Sequence, residues 1–137
     1  MPPAVKNVVE TALYADDLEA AERFYVDVLG LRLIRRESGR HVFFAAGPGT
    51  VLLVFDASST AAGGPLPTHG AHGPGHAALG IGASDLDAWR THLQERQVVI
   101  EQEHLWPLGG RSLYFRDPAG NLLELITPGV WGLPNGW

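Results

Sequence analysis

The sequence predicts an α+β fold in which two βαβββ units present their sheets to a shared cavity. Three observations carry this. A pattern of strand, helix and three strands runs through residues 5–56 and again through 75–127. The two copies register on their final hairpins, Gly47-Pro48-Gly49-Thr50 against Pro118-Ala119-Gly120-Asn121. The last strand, Leu122 to Ile126, is apolar except for Glu124, and a carboxylate there is costly to bury unless something pairs with it. A residue that breaks its own local pattern marks a place to look for function.

Residues 1–4 read as a loose tail. Val5 to Ala15 is a first strand, with Val8, Glu10, Ala12 and Tyr14 on one face and Val9, Thr11, Leu13 and Ala15 on the other. Asp16 or Asp17 caps a helix running to about Leu29, stopped by Gly30. Its apolar stripe is Leu18, Ala21, Phe24, Tyr25 and Val28. Strands follow at Leu31–Glu37, Arg40–Ala46 and Thr50–Phe55, separated by Ser38-Gly39 and Gly47-Pro48-Gly49. Residues 57–74, rich in Ala, Gly, Pro, Ser and Thr, have no periodicity and read as a linker.

The pattern restarts with a short strand from Gly75 to Ile81. Asp85 opens a helix to about Gln97 that carries Leu86, Trp89 and Leu93 inward. Val98–Glu103 is a strand and Leu105–Gly110 a connection. Arg111–Arg116 and Leu122–Ile126 form the closing hairpin around the turn Asp117-Pro118-Ala119-Gly120-Asn121. The tail 128–137 has two tryptophans and no charge, and is expected to pack on the domain.

The 137 residues suffice for one domain with a real core. A net charge of −5 gives no electrostatic case for nucleic acid or an anionic membrane. With no cysteine, disulfides, thiolate metal sites and a thiol nucleophile are excluded. No apolar run approaches the roughly 20 residues of a membrane span. The first residues, MPPAVKNVVE, lack a signal-peptide core, which points to a cytoplasmic protein.

Registering the halves places Leu53 opposite Glu124, Phe43 opposite Tyr114, and His41 opposite Ser112. At the start of each half, Glu10 falls opposite His76. Matching positions in two related sheets should face one cavity, so Glu10, His76 and Glu124 are expected to converge there.

The stretches ALYADDLEAAERFYVDVLGL, GHAALGI and GGRSLYFRDPAGNLLEL resemble the vicinal oxygen chelate superfamily, the group of glyoxalase I, extradiol dioxygenases, fosfomycin-resistance transferases and bleomycin-resistance proteins. The resemblance covers roughly Val5 to Thr127. It implies a curled mixed sheet around a metal or ligand cavity, a small-molecule substrate and a homodimer. In metal-binding members the ligands come from the first strand of each unit and the last strand of one or both. Carried to this chain, the resemblance makes Glu10, His76 and Glu124 the metal ligands. The fourth position, Leu53, cannot bind metal, which departs from the four-ligand pattern of glyoxalase I. One imidazole with two carboxylates also departs from the two-His, one-carboxylate set of the dioxygenases.

Two carboxylates and one imidazole suit a hard divalent cation such as Mn²⁺ or Mg²⁺, with Fe²⁺ and Zn²⁺ also compatible. Three ligands would leave positions open for a substrate with adjacent oxygens, on which dioxygenase-like or lyase/isomerase chemistry could follow. The resemblance to the fosfomycin transferases makes Tyr114, on the face shared with Ser112 and Arg116, a candidate substrate contact. His41 is a candidate acid or base, against the plainer reading of an exposed strand histidine. His104 is placed near the cavity mouth, and His69 and His72 in the loop. The competing function is a metal-free binding protein of the bleomycin-resistance kind. Thiol transfer to an epoxide antibiotic is a third, weakened because Ala12 replaces the threonine usual in that group.

Overall fold

The computed structural model describes all residues, Met1–Trp137. Strand β1 (Glu10–Tyr14), helix α1 (Leu18–Asp27) and strands β2 (Arg32–Glu37), β3 (His41–Ala45) and β4 (Val51–Phe55) form the first half. A short helix α2 (Ala57–Ala61) follows. The second half is β5 (His76–Gly80), a 3₁₀ turn at Ala83–Asp85, α3 (Leu86–Glu95), β6 (Gln102–Leu105), β7 (Arg111–Arg116) and β8 (Leu122–Ile126). The strands make two four-stranded sheets, ordered β1-β4-β3-β2 and β5-β8-β7-β6. In each, the first strand pairs in parallel with the last and the other pairs are antiparallel. This is the α+β architecture expected from the sequence. The sheets do not close into a barrel.

Local chemistry explains most boundaries. Asp17 caps α1 by accepting a hydrogen bond from Ala20 N at 3.0 Å, and Gly30 ends that region at φ 68°. Three expectations need correction. Residues 5–9 are not strand, because only Val9 offers β4 a carbonyl, to Val51 N at 2.9 Å. The second strand of the second half begins at Gln102 and not at Val98. Residues 57–61 are helical, capped by Asp56 on Ser59 N at 3.0 Å, where composition alone showed only linker.

One core serves both halves. It lies between the helices and one face of each sheet, with Leu13, Tyr25, Val42, Phe44, Leu52 and Val54 joined to Ala77, Leu93, Leu113, Phe115, Leu123 and Leu125. Because strand side chains alternate, the intervening residues face away from the helices. The ladders arrange them in rows. Across the first sheet run Ala12, Leu53, Phe43 and Arg35, and beside them Tyr14, Phe55, His41 and Glu37. The matching rows of the second are Ala78, Glu124, Tyr114 and Gln102, and Gly80, Ile126, Ser112 and His104.

The halves are joined by a buried polar hub at the β7–β8 turn. Asp117 Oδ1 accepts from Ala119 N and Asn121 N, both at 2.9 Å, and Asp117 Oδ2 accepts from Tyr25 Oη at 2.7 Å. Asn121 Nδ2 donates to Asp117 and to the carbonyl of Tyr14, while its Oδ1 accepts from Gly75 N at 2.8 Å. Burial first, and the Asp117 charge second, push the Tyr25 phenol far above its ordinary range, so it stays a donor. This hub seats the start of β5, and therefore His76, against the end of β1.

Candidate metal and substrate site

The open face of the second sheet carries a connected polar network. Trp106 Nε1 donates to Ser112 Oγ at 2.8 Å, and Ser112 Oγ donates to Glu124 Oε2. Ser112 and Glu124 are buried. The network fixes one carboxylate oxygen and leaves Oε1 facing His76 Nε2 at 3.4 Å. His76 Nδ1 lies 2.9 Å from the carbonyl of Leu122, which can only accept, so that nitrogen carries a proton. In a neutral ring, Nε2 then turns a lone pair toward a carboxylate oxygen. A proton or a metal cation between them resolves that opposition.

Tyr114 is directly cross-strand from Glu124. Burial, then the Glu124 charge, raise its phenol above the ordinary value, so near neutral pH it donates a hydrogen bond. His104 lies edge-on to Trp106, with ring centres 4.5 Å apart, and lines a cavity of about 470 Å³ with Trp106, Tyr114 and Arg116. Trp137 covers Gly80 on this face, where a Cβ would meet its ring at 2.4 Å. The tail therefore packs, as its composition suggests, although Trp131 stays exposed.

The open face of the first sheet lines a separate cavity of about 560 Å³. Its walls include Glu10, Arg35, His41, Phe43, Leu53 and Phe55, and the segment after β4 roofs it with Thr60, Leu66, Pro67 and His69. His69 is fixed by Tyr14, whose hydroxyl lies 2.6 Å from His69 Nδ1, and packs edge-on against Phe55 at 4.7 Å. His41 is buried and not an exposed strand residue. It stacks on Phe43 with ring centres 3.9 Å apart, and neither ring nitrogen has a hydrogen-bond partner. Glu37 stops 3.7 Å short of it. Unmet buried groups of this kind cost about 1–3 kcal/mol each. Burial is also the main cause that lowers the His41 pKa, which keeps the ring neutral near pH 7.

The expected convergence of three side chains is half realised. His76 and Glu124 meet. Glu10 does not join them, and no group of three His, Cys, Asp or Glu side chains in the chain is arranged to hold a metal ion. The reason is geometric. The hub ties the Tyr14 end of β1 to the start of β5, and Glu10 lies at the opposite end of β1, roughly 13 Å along the strand. Among residues without an assigned role in the sequence, Ser112 and Trp106 hold Glu124, and Asp117 and Asn121 hold the halves together. Ser112 was detectable by its strand alternation with Tyr114 and by its register opposite His41. The Trp106 bond to Ser112 left no trace in the sequence, because it crosses the β6–β7 connection.

The chain is thus a protein of two βαβββ units, with paired four-stranded sheets and a carboxylate and an imidazole together on an open face. Within that architecture, the chain belongs to the glyoxalase/bleomycin resistance protein/dioxygenase superfamily, whose family model matches residues 7–125. A lactoylglutathione lyase from Agrobacterium tumefaciens has the same fold, with a TM-score of 0.89 and 41% identity over 97% of this chain and 100% of that one. A metallothiol transferase FosB from Shouchella clausii (strain KSM-K16) is 41% identical over 54 residues, which is 38% of this chain and 37% of that protein. A family protein from Nocardioides shares the fold at 24% identity and a TM-score of 0.74, covering 99% of this chain and 91% of its own. No helix is long and apolar enough to cross a membrane.

Proposed function

We propose that the chain is a divalent-metal-dependent enzyme, a lyase or isomerase in reaction type, acting on a small substrate that offers two adjacent oxygens. The observation that carries this reading is the opposed pair, His76 Nε2 and Glu124 Oε1 at 3.4 Å, each oriented by a second contact. An imidazole nitrogen and a carboxylate oxygen suit Mn²⁺, Mg²⁺, Fe²⁺ or Zn²⁺. The third ligand in this reading is Glu10 of a second copy of the chain in a homodimer, since Glu10 stands at the free end of β1 on an open face. Similarity to the lactoylglutathione lyase favours lyase chemistry over oxygenation. Leu53, at the position matching Glu124, leaves the chain one ligand short of the four-ligand pattern of glyoxalase I.

When bound, the metal would act as a Lewis acid on a substrate carbonyl or hydroxyl. The chain's residues perform the rest. Ser112 and Trp106 hold Glu124 in one orientation, the kind of outer contact that tunes a metal ligand. Tyr114, kept protonated, donates to a substrate oxygen beside Glu124. His41, a neutral group lining the first sheet's cavity, would exchange a proton with substrate where the dimer brings that cavity to the partner's metal site.

Metal analysis of the purified protein tests the reading. The native chain should retain one ion per site after gel filtration. Glu124→Gln, which preserves shape and the Ser112 contact, should lose it, with affinity falling by more than the roughly 10–100-fold typical of an outer contact. A second reading, a metal-free binding protein, draws on the occupied state of Glu124, which already accepts from Ser112 and faces His76. Native protein that takes up no metal, with unchanged stability on adding Mn²⁺ or Zn²⁺, would establish that alternative.

A further inference from the structure

We propose that the cavity on the first sheet's open face takes a small carboxylate with an aromatic or branched apolar body. Arg35 receives the head group, His41 adds a hydrogen bond, and Leu53, Phe43 and Phe55 carry the body. This rests on reading the open faces as the substrate side, and not on the presence of a metal.

The first argument is the backbone of β2. Its pairing with β3 shifts register between Leu33 and Arg35, so that Leu33 opposes Phe44 while Arg35 opposes Phe43. Phe44 belongs to the core, whereas Phe43 lines the cavity. Under unbroken alternation Arg35 would share the core side with Leu33. The extra residue, Ile34, turns Arg35 onto the cavity face instead, which is what a bulge at a sheet edge does to a side chain.

The second argument is charge. Arg36 is bound by Glu22 and Arg40 is drawn to Glu37 at 3.6 Å, but Arg35 makes no ion pair. The cavity thus holds an uncommitted guanidinium above an apolar floor, with its one lining carboxylate, Glu10, three strands away on β1, and a guanidinium matches a planar carboxylate with two parallel hydrogen bonds.

The third argument is His41. In the second sheet the matching residue, Ser112, donates to Glu124. In the first sheet that acceptor is replaced by Leu53, cross-strand from Phe43. His41 is therefore left with an N–H and a lone pair that no protein group meets. A ligand head group on Arg35 supplies the missing polar partner. The volume, about 560 Å³, fits a small ligand.

Calorimetric titration of the EDTA-treated full-length protein with phenylacetate, and with phenylacetamide as the uncharged near-isostere, tests this. Phenylacetate should bind at least roughly tenfold more tightly than the amide. Arg35→Gln, an exposed edge position that can change without unfolding the core, should erase the preference, and Arg35→Lys should keep part of it. His41→Phe should weaken phenylacetate several-fold. Absence of phenylacetate binding, equal affinity for acid and amide, or an Arg35→Gln variant that still prefers the acid would overturn the proposal. Because the protein is stripped of metal, a failed metal analysis leaves this result standing, and the reverse also holds.

Discussion

At one ladder position the first sheet carries Leu53 and the second carries Glu124, and much of the difference between the two open faces follows from that exchange. Around Glu124 the polar groups are connected, from Trp106 through Ser112 to the carboxylate and on to His76. Around Leu53 they are not. His41 has no partner, Arg35 has no counter-ion, and the face is dominated by Phe43 and Phe55. Two copies of one supersecondary pattern thus present two unlike open faces, one with a joined polar network and one largely apolar with unmet polar groups. The turns before the last strands differ in the same way. Thr50 bonds only back to Ala46, within its own turn, whereas Asn121 reaches Gly75, Asp117 and Tyr14.

The turn comparison yields the largest expected loss of stability. Asn121→Ala strips partners from buried groups in both halves and should cost about 3 kcal/mol, while Thr50→Ala should cost under about 1 kcal/mol. Urea denaturation of the two variants measures this, and equal losses would mean that the second turn does not join the halves. Next comes the network. Ser112→Ala frees Glu124 to reorient and should weaken Mn²⁺ or Zn²⁺ binding by about 10-fold, with the fold intact by circular dichroism.

The smallest effect concerns His41. Its folded pKa is depressed by burial, so the unfolded chain takes up a proton near pH 6.5 that the folded chain resists. Stability should therefore decline as the pH falls through about 6.5 toward the lower folded value. His41→Phe should flatten that part of the profile, read as the difference between denaturation midpoints at high and low pH.

The fold was legible because its signals are local or periodic. Strand alternation put Ser112, Tyr114 and Arg116 on one face, the helix stripe of α1 named Ala21 and Tyr25, and the shared turn chemistry set the register of the halves. The same register located His76 and Glu124, which meet. It misled for Glu10, because equivalence within two repeats says nothing about how the repeats are docked. That docking is decided by Asn121, which accepts from Gly75 N and donates to the Tyr14 carbonyl, contacts between residues far apart in sequence. The bulge that turns Arg35 outward was also hidden, since Arg32-Leu33-Ile34-Arg35 reads as ordinary strand.

The central claim is that a cation is held by His76 and Glu124 of one chain and Glu10 of another. Metal content of pairs assembled from Glu10→Gln and Glu124→Gln chains, refolded together and separated from the parents by distinct affinity tags, tests it most directly. A site shared between chains leaves each mixed pair with one intact set, so mixed pairs should bind one ion while either parent alone binds none. Mixed pairs as empty as the parents would contradict the claim.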